Sequence, residues 1–332
     1  MKAIDSDTKV VVISGGTGGF VVLSGLKNYF RHITALVSMA DDGGSTGQLR
    51  DELGALPPGD VRQCLVALSC SPKLRDLFAY RFEEGNLKGH SFGNLFLAAL
   101  EKVTGDFSKG VELAGSILRT SGRVEPITLD QVRLFVDDGE TVTAHERDLE
   151  GKIFANKRPK VWLEPKPAAN PAALDAIRQA DLVVVAPGSL YTSLGAALTV
   201  PGITQALKNS KAGKVYVCNL VNKPGQTDGF TVVDYVNELE RLADEQFIDT
   251  VVYNTRQPSG QMLKRYAADG ELPVELGDEE SLEKMHFKVV GADLLAREAW
   301  SDDSRSDQID RTLIRHDSNR LAKQLAELGR TR

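Results

Sequence analysis

Lys9-Val10-Val11-Val12-Ile13-Ser14, running directly into Gly15-Gly16-Thr17-Gly18-Gly19, decides how this chain is read. A short, nearly continuous apolar run suits a parallel strand buried on both faces. The glycine turn that ends it gives way to Phe20–Tyr29, where Val21, Val22, Leu23 and Leu26 are expected to face inward from a helix. A second strand-like run, Ile33 to Met39, ends in Asp41-Asp42-Gly43-Gly44-Ser45-Thr46-Gly47. This is a β-loop-α-β opening, and in such folds ligands gather at the carboxyl ends of the strands.

Further along, 60–120 reads as mostly helical, with Val61, Leu65 and Leu68 at helical spacing. Pro126 to Leu163 changes character: 131–136 and 141–145 alternate with period two on either side of Asp137-Asp138-Gly139-Glu140, the signature of a hairpin. The α/β rhythm returns at Pro171, with strands expected at 181–186, 214–220 and 250–254. The expected architecture is an α/β, Rossmann-like, doubly wound and mostly parallel sheet. We read 1–332 as a single domain, with 123–165 a β-hairpin-containing insertion and 307–332 a C-terminal helical segment.

The 332 residues are 42% hydrophobic and 26% charged, ordinary for a soluble globular chain. The net charge of −6 counts against nucleic acid as the main partner. The polar N-terminus lacks the apolar core of a signal peptide, and no run of about 18 apolar residues offers a membrane span. Cys64, Cys70 and Cys218 keep no metal-ligand spacing and read as small buried thiols of a reduced, cytoplasmic protein.

Three Gly/Ser/Thr turns stand out as sites. Gly15, Gly16, Thr17 and Gly18 do not form a dinucleotide fingerprint, because Val21 holds the third glycine's place, and no Lys-Ser or Lys-Thr makes a Walker loop. They still suit phosphate at a helix start, where backbone amides point at the ligand. Asp41 and Asp42 are candidates for a divalent cation such as Mg²⁺ or for a ribose, and with Asp60 they are the candidate catalytic acids. Asp60 reads equally well as a plain helix cap, and Arg62 as a phosphate clamp or a surface charge. Gly188-Ser189-Leu190-Tyr191-Thr192-Ser193 repeats the strand-turn-helix pattern with hydroxyls, and Asn219 ends the next strand.

Taken together, Gly15-Gly16-Thr17-Gly18, Ala40 to Gly47, Pro57-Pro58-Gly59-Asp60-Val61-Arg62, Gly93-Asn94-Leu95 and Pro187 to Ser193 resemble the YvcK family of gluconeogenesis factors. These are relatives of the CofD 2-phospho-L-lactate transferases. The match runs in order from about Val10 to Asn254, and Leu313-Ile314-Arg315-His316-Asp317 resembles the family's closing segment. The resemblance implies a CofD-like fold and a cytosolic factor needed for growth and cell shape on gluconeogenic carbon sources. It implies a nucleotide sugar, UDP-N-acetylglucosamine, as ligand. With its diphosphate across Gly16 to Gly18 and Gly188 to Ser193, Asp41, Asp42 and Asn94 are expected to contact the sugar, the ribose or a cation, and Arg315 to reach the nucleotide from the C-terminal segment. The transferase branch would instead move a phospholactyl group with a divalent metal. The chain departs from the family pattern at Ser14, Gly19-Phe20, Lys223 and Gln226, the last two standing where Gln and Glu are expected. Homo-oligomerisation through 60–120 has no heptad to support it, and protein partners are not indicated.

Overall fold

The computed structural model describes residues 5–156, 158–296 and 314–330. Among the described residues ten strands form two sheets: β1 (Asp5–Ser14), β2 (Phe30–Val37), β3 (Arg123–Pro126), β4 (Arg133–Asp137), β5 (Val142–Ala144), β6 (Lys160–Glu164), β7 (Leu182–Val185), β8 (Gly213–Val217), β9 (Thr250–Asn254) and β10 (Lys288–Ala292). The larger sheet has the order β10-β9-β8-β7-β1-β2-β3. Every neighbouring pair in it is parallel. Winding runs outward from β1 in both directions, so the strand order reverses between β1 and β7, where Val10–Ile13 pair with Leu182–Val185. A crevice opens beyond the carboxyl ends of strands at such a reversal.

Both faces of this sheet are covered, which explains the unbroken apolar run in β1. Val11 and Ile13 join one core with Val183 and Val185. Val10 and Val12 join the other with Leu182 and Val184. On the second face lie α1 (Thr17–Leu26), α3 (Gly59–Leu68) and the helix Ser318–Arg330. Between and beyond them run α2 (Gly44–Leu53), α4 (Pro72–Ala79), α5 (Phe92–Thr104) and α6 (Phe107–Leu118).

The expected hairpin is β4–β5, with β6 on the other side of β4 to complete an antiparallel sheet in the order β5-β4-β6. Leu134 and Val136 point from it into the core that holds Val11 and Ile13. The inserted sheet is therefore seated on one face of the larger one. The Asp138 carboxylate accepts from the N–H groups of Glu140 and Thr141 at 3.2 and 2.9 Å, closing the turn.

Several expectations need correcting. Val21 is half-buried at the margin of the core, packed against it, while Val22, Leu23 and Leu26 carry the fully buried stripe of α1. Gly44 to Gly47 is not a loop but the first turn of α2, with Gly43 extended as its cap. Cys70 is exposed, while Cys64 and Cys218 are buried, with burial pushing both thiols up to about 12. The edge strands β3 and β10 were not anticipated: one is four residues ending in proline, the other opens on lysine. Of the segment 307–332, residues 307–313 and 331–332 lie outside the described residues. Among the described residues no helix is long and apolar enough to cross a membrane.

Candidate functional site

The glycine turns after β1 and β7 meet at the strand-order reversal. A β-carbon built on Gly18 would overlap the Pro187 carbonyl oxygen, so glycine is what lets the two turns touch. Above them opens a cleft of about 490 Å³, within the range of small-molecule sites. Its floor is Gly15, Gly16, Thr17 and Gly18 with Gly188, Ser189, Thr192 and Ser193.

Helix starts supply the floor's polarity. In α1 the first intrahelical bond is made by Phe20 N–H, to Gly16 O at 2.8 Å, so the amides before it have no helical partner. Leu190–Gly195 winds as a π-helix, with Ser193 and Leu194 N–H both bonded to Ser189 O at 3.1 Å, again leaving earlier amides unused by the helix. The Ser189 hydroxyl oxygen is buried with no hydrogen-bond partner. At α2 the capping residue Gly43 lines the cleft beside Gly44. The N–H groups of Gly16, Gly43 and Gly188 are taken by Asp60, Asp41 and Asn219. The other amides of these turns and the positive ends of helix dipoles form a surface that favours anions.

Acids frame this surface. Asp41, Asp60, Glu146 and Glu150 all line the cleft. Asp41 Oδ1 accepts from Gly43 N–H at 3.0 Å. Burial pushes its carboxyl up, and the neighbouring Asp42 charge adds to this. Burial also pushes Asp60 up, helped by the charges of Asp41 and Glu146, although Gly16 N–H donates to it. Glu146 is raised to about 8, first by burial and then by Asp41, while the Thr192 hydroxyl donates to it.

The predicted residues divide. Gly15 to Gly18, Asp41, Asp60, Gly188, Ser189, Thr192 and Ser193 are brought together around one cleft. Asp42 is buried behind it, Oδ2 lying 2.7 Å from His145 Nδ1 and Oδ1 accepting Arg147 N–H at 3.1 Å. Arg62 and Asn94 are buried below, joined by Arg62 Nε donating to Asn94 Oδ1 at 3.0 Å, while Asn94 Nδ2 reaches Ser45 Oγ at 3.4 Å. Arg62 thus works as a buried counter-charge to Asp41 and Asp60 and as a support for α2. Tyr191 is wholly buried against Phe154, a core residue rather than a contact. Asn219 braces the β7 turn, exchanging bonds with Gly188 N–H and O at 3.1 and 2.9 Å. Arg315 lines a neighbouring groove that shares Thr17 and Gln63 with the cleft. Glu146, Arg147 and Glu150 were missed, since they read only as a polar turn after a hairpin, and Lys223, which stands out in the sequence as a departure from the family pattern, also lines the cleft.

The sequence profile of the family described as 2-phospho-L-lactate transferase CofD matches residues 10–295. The gluconeogenesis factor of Halalkalibacterium halodurans is 41% identical over 286 residues, covering 85% of this chain and 88% of that one. The gluconeogenesis factor of Bacillus subtilis is 38% identical over 325 residues, covering 96% and 98%. The crystal structure of a UPF0052 family protein from Bacillus halodurans superposes with a TM-score of 0.86 at 36% identity, covering 96% of this chain and 98% of that one. The chain belongs to the CofD family, within its gluconeogenesis-factor branch.

Proposed function

We infer that this protein is a cytosolic nucleotide-sugar-binding regulatory factor, with UDP-N-acetylglucosamine as its ligand. It supports growth and cell shape on gluconeogenic carbon sources. The observation that carries this reading is the meeting of helix starts and glycine turns at the strand-order reversal. Amides and hydroxyls there suit a diphosphate without a basic surface, in keeping with a chain of net charge −6. The relatives named gluconeogenesis factor supply the physiological context.

Mg²⁺ fits as a companion of the ligand. It commonly binds through one or two carboxylates plus substrate phosphates. Asp41 lines the cleft and suits that role, its carboxylate also accepting from Gly43 N–H and the Thr46 hydroxyl, whereas Asp42 lies behind the cleft and faces His145 and Arg147. Among the described residues no three His, Cys, Asp or Glu side chains form a metal cage by themselves. The cation would therefore arrive with the diphosphate, whose charge it would neutralise.

A second reading is a metal-dependent transferase of a phosphoryl-linked group. The raised Glu146 carboxyl beside Asp41 favours it, because an acid near neutrality can exchange a proton with an acceptor hydroxyl. Calorimetric titration with UDP-N-acetylglucosamine, with and without Mg²⁺, followed by product analysis of the same sample, separates the two. Saturable binding with intact ligand, about tenfold weaker in Asp41→Asn, is expected. Conversion of the ligand would favour the transferase, and no heat at millimolar ligand would remove the nucleotide-sugar reading.

A further inference from the structure

One carboxylate in this protein holds two residues that flank a third. Asp42 Oδ2 lies 2.7 Å from the imidazole of His145, and Asp42 Oδ1 accepts Arg147 N–H at 3.1 Å. Residue 146 sits between the two anchors. His145 takes φ 77° and ψ 133°, a left-sided conformation that only glycine adopts without strain. The 145–147 segment is thus clamped in a costly backbone geometry across 103 residues of sequence. Its visible result is that Glu146 lines the cleft and takes a hydrogen bond from the Thr192 hydroxyl, at the foot of the opposite turn.

We propose that Glu146 is the residue through which the cleft recognises the sugar of its nucleotide-sugar ligand, by hydrogen bonding to a hydroxyl or amide of the hexose, and that Asp42 is its positioning residue. This rests on the nucleotide-sugar reading above. The assignment to the sugar follows from the division of labour in the cleft. Helix amides and hydroxyls on the floor are made for phosphate, whereas a carboxyl beside Asp41 is a poor neighbour for an anion. The neutral, hydroxyl-rich part of the ligand is what a carboxyl can serve, as acceptor or, when protonated, as donor as well. Burial and the nearby acids keep Glu146 in the protonated range near neutrality, which lessens its repulsion of a diphosphate next door. A glutamine has the same shape and the same pair of donor and acceptor functions.

The readout is the ratio of dissociation constants for UDP and UDP-N-acetylglucosamine, measured by calorimetry with Mg²⁺ on wild type, Glu146→Ala, Glu146→Gln and Asp42→Asn. The wild type is expected to prefer the sugar nucleotide. Glu146→Ala should cut that preference about tenfold, the worth of a lost hydrogen bond in a buried site. Glu146→Gln should keep most of it, and Asp42→Asn should fall between. A merely structural role would weaken both ligands together and leave the ratio alone. A wild type that binds both ligands equally, a Glu146→Ala variant that retains the preference, or a Glu146→Gln variant as impaired as alanine would each overturn the assignment while leaving nucleotide binding intact. An Asp42→Asn ratio equal to wild type would overturn the clamp. A wild type that binds neither ligand overturns this inference and the function it rests on together.

Discussion

The floor and the rim of the cleft are built by different means. The floor is backbone: two glycine turns following β1 and β7, their amides released by the start of helical segments. The rim is side chains: Glu146 carried in by the inserted sheet and held from behind by Asp42. The floor depends on neighbours in sequence and on two strands lying side by side. The rim depends on a contact across 103 residues and on a strained His145. Main-chain amides select for an anion of almost any kind, so a fold can keep such a floor while its ligand changes. A clamped side chain offers one directional group, and selectivity among anions has to come from there.

The sharpest way to break this contrast is Gly18→Val. The β-carbon would collide with the Pro187 carbonyl, a main-chain atom that cannot swing aside like the tip of a side chain. The two turns would be forced apart at the point where the floor is joined. A loss of about 3 kcal/mol or more is expected, seen as a lower urea midpoint, together with loss of nucleotide binding. Unchanged stability would mean that the turns do not depend on their contact.

A smaller effect is expected at Lys223, where floor and rim are tied. The Asn222–Thr227 loop meets the insertion through Phe154 N–H donating to Gly225 O and Gln226 Nε2 donating to Leu149 O, both at 2.8 Å. Lys223 lines the cleft, and its charge favours the ionised form of Glu146. Lys223→Gln should weaken UDP-N-acetylglucosamine binding about fivefold and make it less sensitive to salt, since a screened charge is removed. Titrations at low and high ionic strength check this. A salt dependence identical to wild type would take Lys223 off the diphosphate.

What could be read in advance follows the same divide. Lys9–Ser14 announced a doubly buried strand, and Gly15–Gly19 its turn, because strand burial and glycine need are local facts. The hairpin around 137–140 was legible from alternation and Asp-Gly turn chemistry. Asp41 and Asp42 looked equivalent, and only the fold separates them, one onto the cleft and one onto His145. The start of α2 was hidden because Gly-Ser-Thr-Gly is a poor helix former, rescued by the packing of Leu49 in a small apolar cluster. Glu146 gave no signal, since a glutamate in a polar turn is ordinary until a distant carboxylate fixes its neighbours.

The smallest predicted effect separates a buried rim from a solvated one. The Glu146 carboxyl is raised from the ordinary 4.5 to about 8 in the folded protein. Between those values the folded state holds a proton that the unfolded chain releases. Its contribution to stability is therefore full below pH 4.5 and lost as pH rises through about 8. Asp41 and Asp60, also raised, act in the same direction. Glu146→Gln removes one of these titrations and keeps the shape. The variant should gain on wild type by about 2 °C in melting temperature as pH rises from 5 to 8, a small fraction of the total stability of a chain this long. Parallel melting curves for the two proteins across that range would mean that Glu146 ionises freely when folded. The rim would then be an open acidic edge, and discrimination among ligands would pass back to the floor.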